Sequence, residues 1–399
     1  MTSRAARMLE QCVASPDDDE PRLVWADAIG GERGELVVLQ CDLARGGLAP
    51  REVAVRRRRE RELLARHGAG WSGLAGLATR WNFHRGFVES VRVELGAFAR
   101  DPGAVLAAVP LATGIAITDL CAARRAPEAL GLLGSVFAHP AFRRVRALEI
   151  VEPVDLDPAS GRVVPLADDV AALLAAYGVG HVTALGITGG SLGERGMEAL
   201  GALAEHATLS RLWLRDQALR TDDVRVLLRR FPDLTTLELG RDRLELGELE
   251  VLLDRPLRSL TLGKQHTEGF ARLAASTAAT TLEHLALLDF DASGPLTDIR
   301  FPALHSLELT LAGPSDRFVE QLASFELPAL RELAIAPHAS ARTLSQIAER
   351  FGRQLDVLDV RSCDTTWQGT IAGELLVEDV TPPRLPHPTA PPRLATSSR

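Results

Sequence analysis

The feature that most constrains the fold of this chain is a short aliphatic phrase that recurs eleven times between Val88 and Val360. Each copy reads aliphatic, two variable residues, aliphatic, one variable residue, aliphatic, as in Leu257, Leu260 and Leu262. Most copies begin 22 to 27 residues after the previous one, and two intervals are longer, at 33 and 37 residues. Side chains two apart in a strand point to the same side. The phrase therefore predicts a series of short strands, each with one apolar side.

The intervals between the phrases carry helical patterns, for example from Gly193 to His206 and from Asp316 to Phe325. A single strand–helix unit cannot bury its apolar side, but parallel stacking buries each aliphatic residue between two neighbouring copies. Helices are wider than strands, so such a stack must curve. We therefore predict an α/β fold: a solenoid in the form of a horseshoe, with parallel strands on the concave face and helices on the convex face.

The segment from Gly189 to Leu200 resembles the loop and helix start of the ribonuclease-inhibitor class of leucine-rich repeat. In that class an Asn or Cys usually follows the third aliphatic residue by three places. Here the corresponding residues are Gly190, Gln217, Asp242, Gln265, Phe290, Ala312, His338 and Cys363. Only Cys363 matches. We therefore expect the buried side-chain ladder that bonds the turn backbone to be mostly missing.

The first 80 or so residues lack the phrase, and helices are expected from Ala5 to Ala14, Arg22 to Ile29, Gly34 to Ala44 and Glu52 to His67. Residues 5 to 45 resemble the repeat-companion domain that precedes leucine-rich repeats in many bacterial proteins. The resemblance lies in the aspartates before Pro21 and in the motif Arg22-Leu23-Val24-Trp25-Ala26-Asp27. The resemblance implies a small helical module. We predict a module and N-terminal cap over 1–80, a solenoid with a C-terminal cap over 81–380, and a disordered Pro-rich tail over 381–399.

Two charged runs in this module invite a functional interpretation. The carboxylates from Asp17 to Glu20 could bind a divalent cation, but carboxylates before a helix also cap it, and we favour capping. The run from Arg56 to Glu62 could contact nucleic acid. We favour a solvated helix face, because Arg56 and Glu60 lie four residues apart, where opposite charges pair. No metal site is predicted.

Most residues expected on the concave face are small, and one strand differs. Arg211, Trp213 and Arg215 project from the same face, with Glu238 beside Trp213 on the next strand, and Trp and Arg are enriched in binding hot spots. The alternative is that Arg and Glu side chains only shield the ring. Farther along, acidic residues recur and favour a basic or amphipathic partner. We predict that the partner-binding residues are Arg211, Trp213, Arg215, Glu238, His284, Glu308, Glu332 and Asp359.

Composition limits the classes of partner. A net charge of −8 argues against nucleic acid, which requires a clustered positive face. The sequence contains no apolar run that could span a bilayer and no apolar signal core near its start. Four scattered cysteines indicate free thiols. We therefore expect a cytoplasmic protein that binds neither nucleic acid nor membrane.

Catalytic motifs are not apparent. The sequence lacks a phosphate loop, a His-Glu-x-x-His motif and any Cys-x-x-Cys pair, so no cofactor and no enzymatic activity are predicted. Gly189 to Gly193 matches the spelling of a nucleophile elbow, but these residues fill the turn of a repeat.

Two longer intervals mark insertions near Cys121 to Arg125 and at Val151 to Leu166, the second an exposed loop beside the concave rim.

These observations predict a protein–protein interaction scaffold whose concave face binds a protein of unknown identity. One alternative is that the repeats recruit a substrate for an effector or enzymatic activity in the N-terminal module. A pocket lined by Asp17, Asp19, Trp25 and Asp27 would favour that alternative, whereas carboxylates at helix caps would favour the scaffold. A further alternative is a structural protein that associates with itself.

Overall fold

The computed structural model describes residues 3–120, 126–152, 154–156, 163–205, 207–217, 219–240, 250–312, 316–336 and 341–360. The insertion predicted at Cys121 to Arg125, the C-terminal cap predicted near Ile371 and the predicted Pro-rich tail lie outside these residues, as does Cys363.

Its strands are β1 (Arg80–His84), β2 (Phe87–Glu94), β3 (Gly114–Thr118), β4 (Ala147–Val151), β5 (Val154–Leu156), β6 (Val163–Pro165), β7 (Ala184–Thr188), β8 (Arg211–Arg215), β9 (Thr236–Leu239), β10 (Ser259–Leu262), β11 (Gln265–His266), β12 (His284–Asp291), β13 (Ser306–Leu311), β14 (Glu332–Ala336) and β15 (Val357–Val360). Its helices are α1 (Ser3–Ala14), α2 (Asp19–Ile29), α3 (Gly31–Arg45), α4 (Pro50–Ser72), α5 (Leu95–Arg100), α6 (Pro102–Ala108), α7 (Ala126–Ala138), α8 (Ala167–Ala176), α9 (Glu194–Leu203), α10 (Thr221–Arg230), α11 (Glu250–Leu253), α12 (Thr267–Ala274), α13 (Asp316–Leu322) and α14 (Ala341–Phe351), with short 3-10 helices at Pro140–Arg144 and Thr277–Thr280.

Thirteen of the described strands form one open, mostly parallel sheet. Its order is β1-β2-β3-β4-β7-β8-β9-β10-β12-β13-β14-β15, and β11 adds to β12 beside this path. β1 pairs antiparallel with β2, and each later pairing along the path is parallel. The insertion predicted as a loop at Val151 to Leu166 contributes the antiparallel hairpin β5–β6.

The aliphatic phrase sets the register of the parallel strands. The second aliphatic residue of each copy pairs with the second of the next, in the unbroken series Val91, Ile115, Leu148, Leu185, Leu212, Leu237, Leu260, Leu285, Leu307, Leu333 and Leu358. These side chains are all at most 2 % exposed, so each fills the space between its two neighbours. The strands predicted from the phrase are confirmed.

The N-terminal helices and the sheet share one core. Leu36, Leu63 and Leu74 belong to the same buried cluster as the aliphatic residues of the strands. A smaller cluster holds Trp25 and Phe87, whose ring centroids lie 4.7 Å apart. The four helices predicted in this part of the chain are confirmed, and Asp18 caps α2 by accepting a hydrogen bond from the Glu20 amide at 2.9 Å.

A buried amide side chain ties this helical module to the first strands. Gln40 Nε2 donates to Glu60 on α4 at 2.5 Å and to the carbonyl of Phe83 at 3.3 Å, while its Oε1 accepts from the Gly86 amide at 2.6 Å. Gly86 has a φ of 82°, and a Cβ there would lie 2.3 Å from Val37. The turn between β1 and β2 therefore requires glycine, both for its conformation and for its contact with α3.

The expectation that turn-bonding side chains are mostly missing is wrong at Gln217. This side chain is fully buried, and its Nε2 donates to the carbonyl oxygens of Ile187 at 3.2 Å, Gly189 at 2.7 Å and Arg215 at 3.0 Å. Gln265, at the equivalent place two copies later, is 1 % exposed. At this place the ribonuclease-inhibitor class, which the sequence resembles, usually has asparagine. Glutamine satisfies the same backbone groups here, because its side chain is one methylene longer and its amide still reaches the turn.

Candidate functional site

The strand face opposite the core changes character along the sheet. On β3, β4 and β7 nearly every residue is buried, including those that alternate away from the aliphatic core. Many of those outward positions are glycine or alanine, such as Gly114, Ala116, Ala184 and Gly186. On β8, β9, β10, β13 and β14 burial alternates strictly between the two faces, whereas on β12 the alternation breaks at Leu288 and Asp289. Larger side chains from neighbouring strands therefore cover a floor of small residues at the first end of the sheet.

Arg215 is the centre of the charged groups above this floor. Its Nε and Nη2 donate to the two carboxylate oxygens of Glu238 at 2.7 and 2.6 Å, which is a bidentate pair. Its Nη1 lies 3.6 Å from Oε1 of Glu149. Burial opposes the charge, but the bonds to Glu238 and the nearby Glu149 hold the pKa of Arg215 above its ordinary value. The charge of Arg215 is thus compensated within the molecule.

Glu149 is a buried carboxylate on this face. It is 6 % exposed, and it accepts a hydrogen bond from the Thr188 hydroxyl at 3.0 Å in addition to its contact with Arg215. Glu149 lies on β4 and Arg215 lies on β8, and β7 separates these two strands in the sheet. The long Arg215 side chain therefore reaches over β7, and Glu149, Arg215 and Glu238 form one network across four strands.

Arg92 extends the charged face toward the first strand and was missed among the predicted site residues. It lies directly opposite Arg80 in the antiparallel β1–β2 pair. Its Nε is buried and has no hydrogen-bond partner among the described residues. Burial lowers the pKa of Arg92, and Glu149 acts in the opposite direction. Its place in the sequence could have indicated this role. Arg92 lies between the second and third aliphatic residues of its phrase, which is the position of Trp213 in the copy on β8.

Trp213 rests flat on the floor of the face. A Cβ on Gly186, its neighbour in register, would lie 1.7 Å from the indole Nε1, so the ring occupies the space that a side chain would fill. The cation–π contacts of the described residues involve Arg22, Arg33 and Arg350. Within that part of the chain, no guanidinium covers the Trp213 ring. Trp213 itself is half-buried on this face.

The eight predicted residues do not form a single cluster. Arg211, Trp213, Arg215 and Glu238 lie on the adjacent strands β8 and β9, with Glu238 opposite Trp213 as expected. Arg211 is exposed. His284 is exposed at the start of β12, and Glu308 and Glu332 lie half-buried on β13 and β14. Asp359 follows Ala334 in register on β15, but its side chain lies outside the described residues.

Glu332 has a partner from the far end of the sequence. Its Oε1 lies 2.9 Å from Nη2 of Arg57 on α4, a residue 275 positions earlier. This ion pair joins the N-terminal module to the tenth of the parallel strands along the sheet. The chain itself therefore already binds the Glu332 carboxylate, and the role of Glu332 in partner binding stays a prediction.

The N-terminal module has a surface pocket of 690 Å³. It is lined by Asp17, Asp18, Asp19, Glu20, Leu23, Val24, Asp27, Arg45 and Arg85. Three of the four residues named for a pocket therefore line it, but Trp25 lies in the small core instead. Asp18 caps α2, and Asp19 lies 3.8 Å from Arg45 and 3.5 Å from Arg85. Across the described residues no group of three or more His, Cys, Asp or Glu is arranged to hold a metal ion.

Comparison with known proteins gives no match, either to models of protein families or among curated sequences. None of the helices in the described part of the chain combines the length and the apolar character needed to cross a bilayer.

Proposed function

We propose that this chain is a leucine-rich repeat protein whose curved strand face binds a protein partner, with a repeat-companion-like module at its N-terminus. The register of the eleven aliphatic phrases supports the repeat assignment, because each copy occupies the same place in the sheet as the copy before it. A repeated strand face with variable outward residues is a surface suited to binding rather than to chemistry.

The contact between Arg57 and Glu332 supports a horseshoe. Glu60, three residues after Arg57 on α4, is bound by Gln40, which also bonds the backbone of Phe83 on β1. Three helical residues span about 4.5 Å. Along the sheet, ten strand-to-strand steps separate β1 from β14, roughly 48 Å at the usual spacing. A flat sheet would keep these strands too far apart for α4 to touch both, so the contact favours a strongly curved sheet.

The observation that carries the binding proposal is the half-buried ring of Trp213 beside the exposed Arg211. A rigid ring already held on a glycine floor loses little side-chain entropy when a partner covers it. Arg211 adds a donor whose charge no described residue compensates by an ion pair. Arg215 and Glu238 have a different role, because they bond each other and fix the shape of the face.

The partner is expected to contribute an apolar or aromatic group to Trp213 and a hydrogen-bond acceptor to Arg211. The full-length chain, carrying an affinity tag, is used to recover proteins that are then quantified by mass spectrometry. Trp213→Ala and Arg211→Ala are each expected to lower recovery of the specific partner about tenfold or more, the loss typical of a hot spot. The control is Val226→Ala, which changes an exposed side chain on α10.

Equal recovery by the two folded variants, the control and the unchanged protein would refute this site. Light scattering over a range of concentrations separates the self-association alternative, since a dimer that depends on Trp213 would disappear in Trp213→Ala.

A further inference from the structure

We propose that helix α4 is an intramolecular ligand for the carboxylates at the starts of the last strands, Glu332 on β14 and Asp356 just before β15. An arginine-rich helix is then the kind of partner segment that is able to replace α4. The proposal deepens the proposed function, because it says which part of the strand face the chain itself keeps occupied. It rests on the contact between Arg57 and Glu332 and on how the neighbouring charges of α4 are used.

The other arginines around Arg57 have partners within the module. Arg56 lies 3.4 Å from Asp42 on α3, and Arg58 lies 3.4 Å from Glu62 on its own helix. Arg59 donates to both carboxylate oxygens of Glu35 at 2.7 and 2.8 Å. Arg57 thus differs from them in reaching a strand 275 residues away.

These local contacts make α4 a firm support for Arg57. The bonds of Arg56 and Arg59 to α3, together with the buried Leu63, fix the helix against the module. A guanidinium carried by a fixed helix meets its carboxylate with less loss of entropy than one on a mobile segment. The geometry therefore favours the closed contact although both side chains are partly exposed, at 35 % and 41 %.

The surface that receives Arg57 carries more than one carboxylate. Asp356 is the residue just before β15. It lies beside Glu332 at the edge of the sheet where β14 and β15 begin, because Glu332 pairs with the next residue, Val357. Burial raises the pKa of Asp356, and the charges of Arg331 and Arg57 act in the opposite direction. Glu308 lies on β13, the next strand back. A basic segment therefore complements this end of the face, and α4 supplies the first such segment.

The first test compares charge reversals in the full-length protein by hydrogen–deuterium exchange. Arg57→Glu and Glu332→Arg are each expected to speed exchange of the amides in the first two turns of α4 by about fivefold, the scale of an exposed ion pair. The exchanged pair Arg57→Glu/Glu332→Arg is expected to restore the slow rate. Arg58→Glu is the matched control, because Arg58 is 73 % exposed and pairs within its own helix.

The second test uses a labelled synthetic peptide with the sequence of residues 50–72. The Arg57→Glu protein is expected to bind it about fivefold more tightly than the unchanged protein does, because Glu332 is no longer paired with the Arg57 of its own chain. A peptide of scrambled sequence and equal charge is expected to bind equally weakly to both proteins.

Exchange rates in Arg57→Glu that equal those in Arg58→Glu would overturn the proposal, and so would failure of the exchanged pair to restore them. Equal binding of the two peptides would overturn the assigned ligand class. Neither test uses the natural partner, so their failure leaves the Trp213 site standing, and loss of the Trp213 site leaves the α4 contact standing.

Discussion

The two ends of the strand face are built on the same repeat but treat charge differently. Over β2 to β9, Arg215 links Glu149 and Glu238 above small residues, and Glu149 is almost fully buried. On β13 and β14 the outward residues alternate regularly with the core, and on β12 to β14 they lie partly open to solvent. There a carboxylate is bound by the distant Arg57.

The difference shows that the repeat determines position but not environment. A charge surrounded by alanine and glycine can be covered by a long neighbour, and it then needs a partner because burial without one is costly. The same position on β13 is also flanked by alanines, Ala286 and Ala334, yet Glu308 there is only half-buried, where an ion pair contributes little. Equivalent substitutions at the two ends should therefore have unequal effects on stability.

The largest difference is expected for the buried glutamate. Glu149→Leu removes the acceptor of Thr188 and one of the two carboxylates beside Arg215, and it should lower the free energy of unfolding by about 3 kcal/mol. Glu308→Leu, at the same column on β13, should cost less than about 1 kcal/mol. Urea unfolding followed by circular dichroism measures both. Equal losses would mean that the two ends do not differ in the way described.

The turn beneath the Trp213 strand should be the next most sensitive place. Gln217→Leu removes the side-chain donor that bonds three backbone carbonyl oxygens and is expected to cost about 2 kcal/mol of unfolding free energy. Gln11→Leu, an exposed change of the same kind on α1, should stay within about 0.5 kcal/mol. A small loss at Gln217 would show that the turn does not need the amide.

The floor under Trp213 allows a smaller but more specific test. Gly186→Ala places a methyl group where the indole lies, and it should cost about 1 kcal/mol while moving the ring toward water. Difference emission spectra against the same protein with Trp213→Phe isolate this ring, and a shift to longer wavelength is expected. Gly131→Ala on α7 is the control, because a methyl group there meets no atom within 4 Å. An unshifted spectrum would contradict the described position of the ring.

The smallest effect on stability is expected at Arg211. This exposed side chain makes no described ion pair, so Arg211→Ala should change the free energy of unfolding by less than about 0.5 kcal/mol. A larger loss in the same urea titration would assign Arg211 to the structural network together with Arg215. A small loss combined with lost partner recovery would separate its binding role from its structural one.

The periodicity of the sequence was sufficient for the strands and their register. The spacing of the aliphatic residues predicts which side chains are buried, because alternation in a strand is a strict rule. It also placed Arg211, Trp213 and Arg215 on one face and Glu238 opposite Trp213. Capping at Asp18 and the helices before β1 followed from local signals of the same kind.

The contacts that decide the roles of those residues could not be predicted in this way. Whether Arg215 extends over β7 to Glu149 depends on side-chain direction, and the pairing of Arg57 with Glu332 depends on the path of the sheet across many strands. The role of Gln217 could not be predicted for a simpler reason, since the resembling class has Asn or Cys at that place. A rule that asks for any side chain able to donate to the turn would have found it.

The antiparallel β1 has a consequence for how such a chain can grow over evolution. A parallel strand at the end of a stack offers a further copy the same ladder that every earlier copy used. β1 reverses that direction, and Gln40 binds the turn that joins it to β2. A duplicated unit placed ahead of β1 would therefore meet a mismatched edge. Duplication between Val88 and Val360 instead inserts each new copy between two compatible neighbours, so length can change in the interior while the first edge is kept.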